Sequence, residues 1–233
     1  MNSNYRRISA KKFQFYAAGV FVAQVFLATL VAAVGLMRND TALIIGAMVI
    51  APLLGPNVAL CLATTLGDSN LALRSIKTNV LGLAVALTSS LLIGSLFTID
   101  PNIKAIQART LVSGGDIIVA LASGCAGVLA FTSGVPSALI GVMVAIALLP
   151  PFAVFGMLLA SGEFGDAKDA MLLVATNVIC VNLSGVLTFV VQGVQPRSWW
   201  EAKKAKKATR IAVATWTGLL LILLGLIFLA TGT

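Results

Sequence analysis

Long apolar runs separated by short polar connections constrain this chain more than any other feature of its sequence. Seven runs are long enough to be membrane spans, at about 13–37, 41–66, 77–99, 116–133, 136–160, 170–194 and 210–231. A transmembrane helix needs about 20 predominantly apolar residues. Charged residues form only 10% of the chain, whereas soluble domains carry about 25%. The sequence therefore predicts an all-α, polytopic membrane protein with about seven transmembrane helices.

Lys and Arg are distributed unequally among the connections. If the N-terminus is cytoplasmic, twelve of them lie in inner segments: Arg6, Arg7, Lys11, Lys12, Arg74, Lys77, Arg197, Lys203, Lys204, Lys206, Lys207 and Arg210. The other four lie outside: Arg38, Lys104, Arg109 and Lys168. Because cytoplasmic loops carry an excess of Lys and Arg, we expect a multi-pass protein of the cell (inner) membrane with a cytoplasmic N-terminus and an external C-terminus.

Two stretches of the chain resemble each other. Residues 44–58 (IIGAMVIAPLLGPNV) match residues 139–153 (LIGVMVAIALLPPFA) at an offset of 95. At an offset of 98, Gly67-Asp68 matches Gly165-Asp166, and Thr78-Asn79-Val80 matches Thr176-Asn177-Val178. Each copy holds three spans, and an odd number of crossings returns the chain on the other side of the bilayer. The pattern predicts two inverted three-helix repeats, an arrangement typical of secondary transporters.

This interpretation divides the chain into five segments. They are a cytoplasmic N-terminal segment (1–12), repeat 1 (13–99), an external loop (100–115), the inverted repeat 2 (116–194), and a basic cytoplasmic linker with a seventh helix (195–233).

Closely spaced prolines interrupt the second and fifth spans at corresponding positions. Proline lacks an amide and clashes with the preceding turn, so these spans are predicted to be broken helices. Carbonyls freed in hydrocarbon must face protein, water or a ligand, and paired breaks in inverted repeats indicate a midplane binding site. Half-helix amides would favour an anionic group, and the carbonyls could bind a coupling Na⁺. The alternative is that the prolines only bend the helices for packing.

Polar side chains of the third and sixth spans complete the predicted substrate site. Its members are Pro52, Gly55, Pro56, Asn57, Pro150, Pro151, Thr78, Asn79, Thr176, Asn177 and Asn182. An amide supplies both donors and an acceptor, so the asparagines could line a solute path. They could equally be polar contacts between helices.

Other chemistry is not indicated by the residue types present. The chain has no His, and its three cysteines, Cys61, Cys125 and Cys180, lie far apart in apolar runs without metal-ligand spacing,. No charged residue falls in the middle of a span, which argues against a proton relay. No catalytic constellation is visible, so we expect no enzyme and no metal. Asp68, Asp116 and Asp166 each follow Gly before a span, which predicts helix N-caps.

The segment 197–210 is basic. Ser198-Trp199-Trp200-Glu201 has a capping-box pattern, and four lysines follow it. Each would gain about 1 kcal/mol near anionic lipid, so anionic lipid is an expected partner, unless the segment is only a topology anchor. Small-residue faces and the seventh helix predict a homo-oligomer. Nucleic acid is not an expected partner.

The stretch IIGAMVIAPLLGPNVALCLATTLGD (44–68) resembles the domain of unknown function 389 family, and residues 139–156 and 176–185 are also similar to it. The resemblance covers roughly residues 15–195. It implies a hydrophobic bacterial or archaeal membrane protein with a six-helix core, and it implies no activity. We therefore expect a transporter or facilitator of a small neutral or anionic solute that works by alternating access. The alternatives are a non-transporting membrane scaffold or an oligomeric channel.

Overall fold

The computed structural model describes the backbone of residues 3–134, 137–196 and 199–231, and the side chains of residues 17–134, 148–196, 205–225 and 227. Within these residues every regular secondary-structure element is a helix, and no strand is found. The elements are α1 (Ser3–Met37), α2 (Thr41–Ile50), α3 (Leu54–Leu66), α4 (Ser69–Leu96), α5 (Lys104–Gln107), α6 (Gly114–Ser133), α7 (Ser137–Ser161), α8 (Phe164–Val191) and α9 (Trp199–Thr231).

Most of these helices are long and apolar enough to cross a membrane. Candidate spans are found in α1, α4, α6, α8 and α9, and α2 and α3, which are bent by 54° where they meet, are a sixth if they are counted as one span. The protein is therefore a multi-pass helical membrane protein. The remaining predicted span, the fifth (136–160), coincides with α7, which is 25 residues long. Side chains of α7 are described only from Leu148, and the described part, Leu148–Ser161, is apolar.

Several helices begin earlier than the apolar runs predicted. The first helix starts at Ser3 instead of 13, α4 at Ser69 instead of 77, and α9 at Trp199 instead of 210. Hydropathy detects only the part of a helix that lies in hydrocarbon, whereas backbone hydrogen bonding continues into the interface. Asn79 and Asn177 consequently lie well inside α4 and α8 and not near the helix starts.

The predicted caps are partly confirmed. Asp68 is the N-cap of α4, and its carboxylate accepts hydrogen bonds from the amides of Asn70 and Leu71, both at 3.0 Å. The prediction was wrong for Asp116 and Asp166, because α6 and α8 begin before these residues. Both lie in the first helical turn instead, after the cap positions Ser113 and Glu163. The predicted cap at Ser198 and the tip of the 133–136 connection lie outside the described residues.

The bend between α2 and α3 follows from its two prolines. Ala51, directly before Pro52, is extended (φ −69°, ψ 118°), the conformation that a following proline favours. Pro56 is the third residue of α3, where a helix amide has no intrahelical partner to lose. The chain therefore interrupts the helix at 51–53 with little loss of backbone hydrogen bonding.

Helix α7 contains Pro150 and Pro151 but continues through them to Ser161. The predicted break of the fifth span is therefore not seen. Two adjacent prolines remove amides from a single turn, and packing of α7 against both α4 and α8 holds the helix on either side.

Helix α8 occupies the centre of the bundle. It packs on α3, α6, α7 and α9, while α4 packs on α1, α3 and α7. Small residues allow the closest approaches: Gly124 lies against the backbone of Val181, and Gly94 against that of Met157. In the most apolar stretch of α8, 72% of the residues are buried, whereas in that of α9 only 6% are. The outermost helix, α9, packs on α3 and α8 along one side and leaves much of its surface available to lipid.

Candidate functional site

A cavity of about 160 Å³ lies beside the break between α2 and α3. We call it the asparagine cavity, because its polar lining includes amide side chains from three helices. It is lined by Leu53, Asn57, Leu60, Ile76, Asn79, Val80, Leu83, Leu148, Val178, Asn182 and Trp216. These residues belong to α3, its N-cap, α4, α7, α8 and α9, so both predicted repeats contribute.

Asn57 connects the asparagine cavity to the helix break. Its Nδ2 donates to the carbonyl of Leu53 at 2.8 Å, and Leu53 is the N-cap of α3, which receives no side-chain capping bond. This bond gives the N-cap carbonyl a second donor beside the first intrahelical amide, and it holds the amide of Asn57 next to the break. The Oδ1 atom of Asn57 has no hydrogen bond to any described residue, so it remains available as an acceptor for a bound solute.

Asn182 is held by its own helix. Its Nδ2 donates to the carbonyl of Val178 at 2.8 Å, and its Oδ1 lies 3.6 Å from the thiol of Cys61, a weak donor,. This contact joins α8 to α3 and fixes the amide at the cavity wall.

Asn79 differs from the other two amides. Its side chain is half-buried and makes no hydrogen bond with the residues that the structure describes. It is the eleventh residue of α4 and follows Lys77 by two residues, so it lies near the polar end of the apolar part of this helix. No buried polar atom of the described side chains lacks a hydrogen-bond partner, so the amide of Asn79 is accessible. Its donors and acceptor can therefore bind a molecule in the cavity, either water or a solute.

A second cavity, of about 190 Å³, lies on the other side of α8. We call it the arginine cavity. It is lined by Ala108, Arg109, Asp116, Val119, Ala120, Pro151, Leu173 and Asn177. Arg109 follows α5 in the connection outside the spans, and its guanidinium donates to the carbonyl of Ala105. Burial lowers the pKa of Arg109 from its ordinary value.

Charges in the arginine cavity are not paired with each other. Asp116 accepts hydrogen bonds from the amide (2.8 Å) and the hydroxyl (2.7 Å) of Ser113 at the start of α6. Arg109 has no ion pair with a described residue. The cavity therefore contains the half-buried cation of Arg109 and the carboxylate of Asp116, which already accepts hydrogen bonds at the start of α6.

The structure places five of the eleven predicted site residues in the two cavities and the other six outside both. Asn57, Asn79 and Asn182 line the asparagine cavity, and Pro151 and Asn177 line the arginine cavity. The remaining six, Pro52, Gly55, Pro56, Pro150, Thr78 and Thr176, line neither. Thr78 and Thr176 donate instead to carbonyls one turn back in their own helices, those of Arg74 and Leu172.

Sequence reasoning missed three polar or aromatic lining residues. Trp216 stands in the middle of the last apolar run, and its ring contributes to the asparagine cavity. Arg109 belongs to the segment 100–115, which was predicted to be an external loop, and Asp116, the first residue of repeat 2, was predicted only as a helix cap. The signal for Arg109 was its position as a cation in the short connection that precedes the fourth span.

The helices and these two cavities define a class: a polytopic α-helical membrane protein with polar side chains gathered inside the bundle. A family model described as Domain of unknown function (DUF389) matches residues 48–183. The chain belongs to this family. It is also similar to an uncharacterised protein of Methanocaldococcus jannaschii, with 41% identity over 201 residues, covering 86% of this chain and 63% of that protein. The chain thus spans less than two thirds of that relative's length. No solved structure matches it.

Proposed function

We propose that the protein is a secondary transporter or facilitator of a small neutral or anionic solute. The observation that carries the proposal is the amide of Asn79, which has no hydrogen-bond partner among the described residues and lies beside a helix break in a cavity also lined by Asn57 and Asn182. The amide of Asn79 and the Oδ1 atom of Asn57 offer donors and acceptors to a polar solute without carrying charge, in a cavity whose other lining residues are mostly apolar. A scaffold would instead favour a dry core at this position.

The proposal includes seven spans in two inverted repeats. Helix pairing between the two halves supports this arrangement, since α4 packs on α7 and α3 packs on α8. Under the offset of 95, Cys61 of α3 corresponds to Gly156 of α7. Each sits at such a contact: Cys61 against Gly185 of α8, and Gly156 against Ser90 of α4. Corresponding positions thus serve corresponding helix crossings.

The two cavities also contain corresponding residues. Asn79 lines one and Asn177, its partner at the offset of 98, lines the other. Leu148 and Pro151, nearly one turn apart on α7, line different cavities, so α7 and α8 form the wall between them. The proline pair of α7 lies in this wall. A bend there would connect one cavity to the other, which is the kind of movement that alternating access requires.

The test is solute flux through proteoliposomes that contain the full chain. The probes are urea and glycerol as neutral solutes and formate as an anion, followed by stopped-flow light scattering after an osmotic step. We expect at least one probe to cross faster than in protein-free liposomes. Asn79→Leu should slow that flux by about tenfold, because it removes the cavity's free hydrogen-bonding amide.

Thr78→Val is the matched control. It removes a polar atom from the adjacent residue, whose hydroxyl already donates to the carbonyl of Arg74. Solute flux through this variant should stay within about twofold of the wild-type rate. Equal flux through wild type and Asn79→Leu would refute the asparagine cavity as the solute path. Failure of every probe to exceed the protein-free rate would refute transport of such solutes. Replacing external Na⁺ by choline tests for coupling to Na⁺.

A further inference from the structure

A pocket of about 310 Å³ lies where the ends of α3 and α8 meet the first part of α9. We call it the basic pocket. Its polar lining consists of Thr65, Gln195, Lys206, Thr209 and Arg210. No Asp or Glu is found among the described residues that line it.

The two cations of the basic pocket have no partner among the side chains that the structure describes. Lys206 and Arg210 are four residues apart on α9, so their side chains project on the same face of the helix. Neither makes an ion pair or a hydrogen bond with the described part of the chain. Like charges at this spacing destabilise a helix, and an anion between them would remove that penalty. Arg210 could hold a phosphate through two parallel N–H bonds.

An apolar groove of about 550 Å³ continues from the basic pocket between α8 and α9. Pocket and groove share Val190, Thr209 and Arg210. From Arg210 the groove follows α9 as far as Leu221, a length of about 16 Å,. One leaflet of a bilayer has a hydrocarbon depth of about half of 30 Å. The groove therefore has the length of an acyl chain within a single leaflet.

We propose that pocket and groove together bind one phospholipid with an anionic headgroup. The phosphate lies between Lys206 and Arg210, and an acyl chain lies along Val213, Gly218 and Leu221. The position fits this occupant, because α9 has only 6% of its span buried and the two cations fall at the start of that span. The site is independent of the asparagine cavity and of any transport through it.

Native mass spectrometry of the delipidated full chain tests the proposal. Phosphatidylglycerol and phosphatidylcholine with identical chains are added in equal amounts. We expect phosphatidylglycerol to be retained preferentially, and we expect Lys206→Gln/Arg210→Gln to weaken its binding by roughly tenfold or more, since each cation near a headgroup contributes. Gly218→Leu should weaken binding of both lipids, because a Cβ atom there meets no protein atom within 4 Å and the rest of the side chain would extend into the groove.

The chain offers matched controls for both variants. Lys207→Gln removes a neighbouring exposed cation that does not line the pocket, and Gly225→Leu adds the same side chain two turns beyond Gly218, also in open space. Both should bind phosphatidylglycerol as wild type does. If the double variant does not fold, Lys206→Gln alone and Gly218→Leu carry the test.

Three results would overturn the proposal. One is equal retention of both lipids by wild type and the double variant, as for an unspecific annular lipid. Another is displacement by glycerol 3-phosphate with no effect of Gly218→Leu, which would indicate a site for a free phosphate. The third is a stable dimer that excludes lipid and depends on Gly218, which would indicate that a second copy occupies the groove.

Discussion

Individual glycines determine how closely the spans approach one another. A Cβ atom built on Gly94 of α4 would lie 2.8 Å from the Cα of Met157 in α7, a backbone atom that cannot move away without shifting the helix. One built on Gly46 of α2 meets no atom within 4 Å. Both glycines lie in apolar spans, yet only one is required by packing. Interiors at native density respond to a single added carbon when the neighbour is rigid.

Gly94→Leu should therefore destabilise the protein. Forcing extra volume into a packed interface costs about 1–3 kcal/mol, so the midpoint of thermal unfolding in detergent, followed by circular dichroism, should fall. Gly46→Leu should leave the midpoint close to that of wild type. Equal midpoints for the two variants would show that the α4–α7 contact is less tight than the structure indicates.

The sequence allowed the asparagines to be predicted as site residues, but not their distribution between two cavities. Asn57, Asn79 and Asn182 are recognisable because amides are expensive in apolar runs. Their meeting in one cavity depends on packing of α3, α4 and α8, which are distant in the chain. Thr78 and Thr176 were misleading for a local reason: a Thr hydroxyl in a helix is readily satisfied by the carbonyl one turn back.

At the scale of elements, the second and fifth spans share a proline pattern and differ in outcome. The α2–α3 pair bends by 54°, whereas α7 stays continuous. The spacing of the prolines explains the difference. Pro52 and Pro56 are one turn apart, so α2 can end before Pro52 and α3 can begin with Pro56 in its first turn. Hydropathy and proline positions predict where a helix is weak. Whether the helix breaks there also depends on its packing against neighbouring helices, as α7 packs against α4 and α8.

Pro52→Ala should straighten the second span, because it restores an amide and releases Ala51 from the extended conformation. Spin labels at positions 41 and 69, in a chain whose native cysteines are replaced, would report an increase of about 4 Å in their separation by electron–electron double resonance. Pro56→Ala is the control and should not change the distance, since the first turn of α3 does not use that amide. An unchanged distance in Pro52→Ala would place the cause of the bend in packing and not in Pro52.

For the whole molecule, the inverted repeat makes a topological prediction. Asn70 and Glu163 are exposed residues at the starts of α4 and α8, the third spans of the two proposed repeats. In a cysteine-free chain, Glu163→Cys should react with an impermeant maleimide from outside the cell, and Asn70→Cys only after the membrane is opened. Reaction of both from the same side would exclude inversion.

Energy coupling can also be predicted at this scale. No titratable side chain is found among the described residues that line the asparagine cavity. Solute flux through proteoliposomes should therefore vary by less than about twofold between pH 6 and 8, and a protonophore should not abolish it. A steep dependence on an imposed pH gradient would require a proton carrier other than the described lining of the asparagine cavity.

The central position of α8 has a consequence for how the protein is made. Thr176, Asn177, Asn182 and Ser184 are all buried in this helix, so it is among the least suitable segments to meet lipid alone. Its partners α3, α6 and α7 precede it in the chain, and ribosomes synthesise them first. Helix α8, whose buried polar residues need packing partners, thus leaves the insertion machinery when most of its neighbours are already in the bilayer.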